Sequence, residues 1–112
     1  MEIKTNEADG IAFVHMSGRL TSTTSGQAYD ALVRVAQSGT KKVVINVRDL
    51  DFIASAGLRS ILVAAKLLKG SDGEIRICEA NATVKKILET SGFASLIQLC
   101  ADENEAVASF ET

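Results

Sequence analysis

Along this chain the spacing of apolar positions switches repeatedly between a period near two and a period near four. Ile3-Lys4-Thr5-Asn6-Glu7 and Ile11-Ala12-Phe13-Val14-His15-Met16 read as two strands. Ala8-Asp9-Gly10 between them is a turn, and Asp-Gly favours a tight hairpin. Residues 18–24 read as a loop, and a helix follows from about Ser25. Thr24 with Gln27 fits a capping box, in which each side chain satisfies a backbone donor near the other. Ala28, Leu32, Val35 and Ala36 supply the buried stripe of this helix, and Gly39 stops it.

Val43-Val44-Ile45, inside a strand over residues 42–47, is a continuous apolar run. Such a run suits a central strand covered on both faces. Residues 49–55 read as a second loop, and Ser55 or Ala56 starts the second helix. Leu58, Ile61, Leu62, Ala65 and Leu68 form its apolar stripe, while Arg59 and Lys66 face water. Gly70-Ser71-Asp72-Gly73 is a turn into the strand Ile75-Arg76-Ile77-Cys78. Asn81 caps a third helix with Val84, Ile87 and Leu88 inward, ending near Gly92. A short strand lies within residues 93–99. Asp102 with Glu105 then caps a last helix anchored by Val107 and Phe110.

The order β-β-α-β-α-β-α-β-α predicts an α/β fold. Its sheet is mixed but largely parallel, with four to five strands, right-handed crossovers and about four helices. In such sheets the functional crevice lies at the carboxyl ends of the strands. Here those ends lead into residues 18–24, 49–55 and 79–81, which are expected to form one surface.

Composition narrows the function. The 112 residues are the size of one ordinary domain, read as spanning 1–112 without linker or repeat. Net charge is -2 and Lys and Arg are scattered, so nothing drives bulk attraction to nucleic acid or anionic lipid. With four Phe, one Tyr and no Trp, a base-stacking platform is not expected either. No apolar run approaches the roughly 18 residues of a membrane span, and no secretion signal precedes the first strand. Cys78 and Cys100 sit in apolar segments and read as buried thiols of a reducing compartment. A cytoplasmic location follows by elimination. Asn81-Ala82-Thr83 matches a glycosylation acceptor, treated as chance in that setting.

The candidate chemistry lies in Asp49-Leu50-Asp51-Phe52-Ile53-Ala54-Ser55-Ala56-Gly57-Leu58-Arg59, between a strand and a helix. Ser55 falls at the helix start, where unpaired amides and the helix dipole favour a phosphate by about 0.3–2 kcal/mol. Ala54, Ala56 and Gly57 add little bulk, so a kinase active site could approach the hydroxyl. A phosphate there would put a charge of about -2 on a contact surface. The same residues are also explained by Ser55 acting only as a helix cap and Gly57 only as a packing residue. Arg59, one turn on, is a solvated helix residue or a contact to partner or phosphate. Ile53 and Ala54 are apolar residues either tucked under the loop or offered to a partner.

These stretches resemble the STAS domain, and specifically the single-domain anti-sigma factor antagonists. The resemblance covers essentially the whole chain. It rests on Gly18-Arg19-Leu20, on Val43-Val44-Ile45-Asn46-Val47 with Asp49-Leu50, and above all on Phe52-Ile53-Ala54-Ser55-Ala56-Gly57-Leu58. Glu79-Ala80-Asn81 and Leu88-Glu89-Thr90-Ser91-Gly92-Phe93 fit the same family. The resemblance implies bacterial transcription control by partner switching. The unphosphorylated antagonist binds an anti-sigma factor that is also a serine kinase, and so releases the sigma factor. Phosphorylation, at Ser55 by match to the motif, ends that binding, and a metal-dependent serine phosphatase resets the protein. Thr21, Asp49, Asp51, Ile53, Ala54, Ser55, Ala56, Gly57 and Arg59 are then the expected partner contacts. The ATP and metal belong to the partners, so this chain is expected to hold no cofactor and no metal. Two positions depart from the family: Ala54 and Thr21 stand where many members carry acids. Asp49 and Asp51 keep acidic charge nearby.

Three other readings compete. As an enzyme, the chain offers only His15 in a strand pattern, no metal-ligand spacing, and a Gly70–Glu74 stretch (residues 70–74) without the lysine of a phosphate-binding loop. No catalytic residue is therefore assigned. As a scaffold, it would be an accessory subunit of a lipid-transport or stress-sensing complex, with no need for a phosphorylatable Ser55. As a small-ligand sensor, it would need a large cavity, which the fully committed apolar stripes do not leave.

Overall fold

The computed structural model describes residues 1–110. A five-stranded sheet runs in the order β1-β2-β3-β4-β5, each strand beside its predecessor in sequence. Strand β1 (Glu2–Ala8) pairs antiparallel with β2 (Ile11–Leu20). Strands β3 (Lys42–Ile53), β4 (Glu74–Cys78) and β5 (Gln98–Cys100) continue in parallel from β2. The hairpin turns as the Asp-Gly step requires, with Asp9 at φ 54° and Gly10 at φ 79°.

Helices α1 (Ser25–Gln37), α2 (Ser55–Lys69) and α3 (Ala82–Thr90) cover one face. Their Leu32, Ile61 and Val84 share a core with Val14, Val43, Ile45 and Ile77. The short α4 (Glu103–Ser109) covers the other face over Ile11, Val44, Cys78 and Cys100. Coverage on both faces is why β3 begins as an unbroken apolar run, with residues 43–47 all buried. Among the described residues, no helix is long and apolar enough to cross a membrane.

Several local expectations are revised. Strand β2 runs on through Ser17 to Leu20, and β3 runs on through Asp49 to Ile53, where loops were expected. The β2–β3 register slips twice, between His15 and Ser17 and between Gly18 and Arg19. Each slip puts an extra residue into β3 and breaks the two-residue alternation by which a strand is recognised. Thr24 is the N-cap of α1, but its side chain makes no capping bond and no capping box forms with Gln27. Its hydroxyl instead donates to Arg19 O at 2.8 Å and accepts from Thr21 N at 2.8 Å. In α2, Gly57, Ile61, Ala64 and Leu68 are the buried positions, while Leu58, Leu62 and Ala65 are half-buried. Helix α1 packs alongside α2, and Ala64 belongs to the core cluster the two helices share.

Two open clefts lie at the borders of the core. One, of about 520 Å³, opens between β1, β2 and α1, where the sheet extends past the helix; Ile3, Thr5, Glu7, Arg34 and Thr40 line it. The other, of about 830 Å³, lies at the amino ends of β3, β4 and β5.

Gly57 is where α2 touches the sheet most closely. A Cβ there would stand 2.4 Å from Leu20 Cγ and 2.9 Å from its Cδ2, and Leu20 is fully buried. Gly57→Ala is expected to destabilise the fold by about 1–3 kcal/mol through overpacking. Leu20→Ala alone is expected to cost about 2–5 kcal/mol. In urea unfolding, the double variant should cost less than the sum of the two, because the new methyl occupies the space that Leu20 vacates.

Candidate functional site

The three loops expected to form one surface are joined by backbone and side-chain bonds. Leu20 is registered with Ile53 in the last pairing of β2 with β3. Leu20 O accepts from Ala54 N at 2.8 Å, which fixes the residue before the helix. Asn81 links the third segment: its Nδ2 donates to Leu50 O at 2.9 Å, and its Oδ1 accepts from Val84 N at 2.9 Å. One side chain thus caps α3 and ties it to β3.

Ser55 is the first residue of α2, and the N-cap is Ala54, extended at φ -89° and ψ 165° with no side-chain cap. Ser55 is therefore not the cap of its helix. Its side chain is exposed and, among the described residues, makes no hydrogen bond. The bond from Leu58 N to Ala54 O, at 3.1 Å, closes the first turn. The amides of Ser55, Ala56 and Gly57 precede it and have no acceptor within the helix. No acid occupies the first turn, whereas Lys66 and Lys69 occupy the last. The dipole of α2 is thus compensated at its carboxyl end and left bare at its amino end.

The other expected contacts divide into two groups. Asp49, Asp51 and Arg59 are exposed, and Thr21, Ala54 and Ala56 are half-buried around Ser55's end of the sheet. Thr21 is held in its turn by Thr24, and its hydroxyl accepts from Thr23 N at 3.3 Å. Asp51 is the extra residue at the second register slip, a placement that aims it outward. Ile53 and Gly57 are buried instead, Ile53 at 2% exposure. Ile53 is tucked under the surface because it is the last core residue of β3, and Gly57 rests on Leu20. Neither offers a side chain to a partner.

Two residues that mark the resemblance but are not among the expected contacts join this surface. The guanidinium of Arg19 lies 4.9 Å from the centroid of the Phe52 ring. They are registered partners on β2 and β3, so the extended pairing was the signal needed to bring them together. Arg19 places an exposed positive charge at the end of the sheet that also carries the exposed Asp49 and Asp51.

The remaining reactive groups lie elsewhere. His15 Nε2 is 3.7 Å from Asp49 Oδ2, an ion pair only when the imidazole is protonated. The imidazole is partly exposed, but Nε2 itself is shielded and makes no hydrogen bond. Cys78 and Cys100 are free, buried and in register on neighbouring strands. Burial, with the charges of Glu103 and Glu79 adding to it, pushes the Cys78 thiol from 9.0 up to about 12. Burial likewise raises Cys100, followed by the charge of Glu105. Glu79 and Glu103 both accept from Asn46 Nδ2, at 2.7 and 2.9 Å, which accounts for two carboxylates meeting beside Cys78.

Comparison with known proteins agrees with this architecture. The family model for the STAS domain matches residues 2–106. A protein of Bordetella bronchiseptica bearing the provisional name anti-sigma factor antagonist BtrV is 32% identical over 112 residues, covering 100% of this chain and 97% of its own. The anti-sigma F factor antagonist of Paenibacillus polymyxa is 27% identical, over 99% of this chain and 96% of its own. The crystal structure of an anti-sigma factor antagonist from Mycobacterium paratuberculosis superposes with a TM-score of 0.90 at 17% identity, covering 99% of this chain and 94% of that one. With bulged parallel strands delivering an exposed serine to a bare helix terminus, and a family match along nearly its whole length, the chain belongs to the STAS domain family.

Two outcomes test the geometry. Asn81→Asp keeps the cap on Val84 N but loses the donor to Leu50 O. It is expected to preserve helix stability while speeding hydrogen exchange near Leu50 and Ala54. Asn81→Ala should lose about 1 kcal/mol more, as a missing cap does. For Cys78, the native state holds its proton after the unfolded thiol has lost its own. Stability from this group is therefore complete below pH 9 and lost progressively as pH rises from about 9 to about 12. Urea unfolding of the wild type against Cys78→Ala over that range should reveal the fall, and native Cys78 should resist thiol reagents at neutral pH.

Proposed function

We propose that this chain is an anti-sigma factor antagonist that works by phosphorylation-controlled partner switching. It acts as one cytoplasmic domain spanning residues 1–112. Its part is to bind and not to catalyse. The unphosphorylated surface around Ser55 binds an anti-sigma factor, and the sigma factor is freed. A kinase activity of that partner phosphorylates Ser55 Oγ, and a metal-dependent phosphatase removes the group.

The observation that carries this reading is the Ser55 hydroxyl, exposed and unbonded among the described residues at the uncompensated end of α2. Kinase access needs a free hydroxyl, and the bare amides there can accept a phosphate without unfolding the helix. The same phosphate would face any acidic or apolar partner group with about two negative charges. Thr21, Asp49, Asp51, Ala54, Ala56 and Arg59 complete the contact surface, with Arg19 added. Ala54 in place of an acid lowers the negative charge that a phosphate would meet on its own chain. The relatives named as anti-sigma factor antagonists align along the whole chain, which supports the same role here.

Ser55→Glu is expected to weaken capture of a kinase-domain partner from native extract by about a hundredfold, a penalty of about 3 kcal/mol. Ser55→Ala should retain the partner and resist phosphorylation. Equal retention of the same partners by wild type and Ser55→Glu would instead support the scaffold reading. Arg59→Ala with unchanged affinity and unchanged phosphorylation would remove Arg59 from the contact surface.

A further inference from the structure

At the opposite end of the sheet from Ser55, the cleft of about 830 Å³ is built unlike the rest of the surface. Its apolar lining comes from Leu62 and Ala65 of α2, Ile75 of β4, Leu96 and Ile97 before β5, and Phe110 after α4. Leu96 is 65% exposed, the most exposed of the large hydrophobic residues. Among the described residues, this leucine at the border of an apolar groove is left largely in water.

The charge around the groove is segregated. Lys41, Lys42, Lys66 and Lys69 line it and are exposed, and among the described residues none of their ammonium groups forms an ion pair. The acids present are Asp72 and Glu74, and Glu74 is bonded to Arg76 at 3.1 Å. Arg76 in turn stacks on Phe110 at 4.6 Å and donates to Ser109 Oγ. Counting Arg76, the lining carries five cations against two acids, a balance of +3. The whole chain is at -2, so everything outside the groove sums to -5. Lys66 and Lys69 already complement the carboxyl end of α2, so the positive charge need not repel itself out of place.

We propose that this groove is a second docking site, which takes an acidic peptide segment of another protein with apolar side chains as anchors. Leu96, Leu62 and Phe110 receive the anchors, and the four lysines face the flanking carboxylates. Charge complementarity selects the occupant: the groove would repel a basic segment and attract an acidic one. Along α2 the groove's lining runs from Leu62, roughly 10 Å from Ser55 at 1.5 Å per residue, to Lys69, roughly 20 Å away.

The test titrates ¹⁵N-labelled protein with a 14-residue peptide of glutamates carrying leucine at every third and fourth position. Saturable shifts are expected at the amides of Leu62, Ala65, Leu96 and Ile97, and none at Ala54 and Ala56. Leu96→Asp and the pair Lys66→Glu with Lys69→Glu should each weaken binding by at least about tenfold, with spectra that report an intact fold. A peptide with lysine in place of every glutamate should leave the spectrum unchanged. No shifts with the acidic peptide, equal binding of the basic peptide, or shifts confined to Ser55's end would overturn the proposal. So would a concentration-dependent dimer abolished by Leu96→Asp, since the groove would then seat a second copy of this chain.

Discussion

Leu20 is the side chain on which the surface around Ser55 depends. It ends β2 fully buried, its carbonyl holds the amide of Ala54, and its side chain fills the space that Gly57 leaves open. Those contacts set where α2 begins and how closely it approaches the sheet. An exposed serine at a helix start is useful only if the helix start does not wander. Here the residue before it is anchored to a neighbouring strand, and the residue two places after it is pressed against that strand's last side chain. The freedom of the hydroxyl and the rigidity of its support are both consequences of one leucine packed against one glycine.

Much of the architecture was legible in the sequence because it follows from periodicity. The nine-element order, the Asp-Gly hairpin and the Asn81 and Asp102 caps depend on local chemistry that a reader of residues can apply directly. The extensions of β2 and β3 were not legible. Two register slips place Arg48 and Asp49 side by side on the exposed surface and project Asp51 outward, so the apparent period fails where the strand continues. For the same reason the meeting of Arg19 with Phe52 and the burial of Ile53 could not be read. Each depends on register, which is a property of two strands and not of one. The Thr24 hydroxyl illustrates a different limit. Its type and position fit a cap, yet a nearby carbonyl and amide offered bonds that closed the turn instead.

The charges are arranged along α2 as much as around it. Its amino end carries no acid and presents bare amides, while its carboxyl end carries lysines that continue into the basic groove. The dipole of α2 is answered at one end only, and the unanswered end carries Ser55. Arg19, held over Phe52, adds a positive charge at the same end of the sheet.

The strand order also bears on how the molecule is made. Because spatial order equals chain order, every strand is added to an edge already present as the polypeptide emerges. Such a sheet can grow residue by residue from its amino end, without waiting for a distant segment to be inserted between strands already paired. The serine-bearing surface, however, receives its last tie from Asn81, well after Ser55 itself has been synthesised. A nascent chain would therefore carry the hydroxyl before it carries the finished shape around it. That shape is complete only with the third helix.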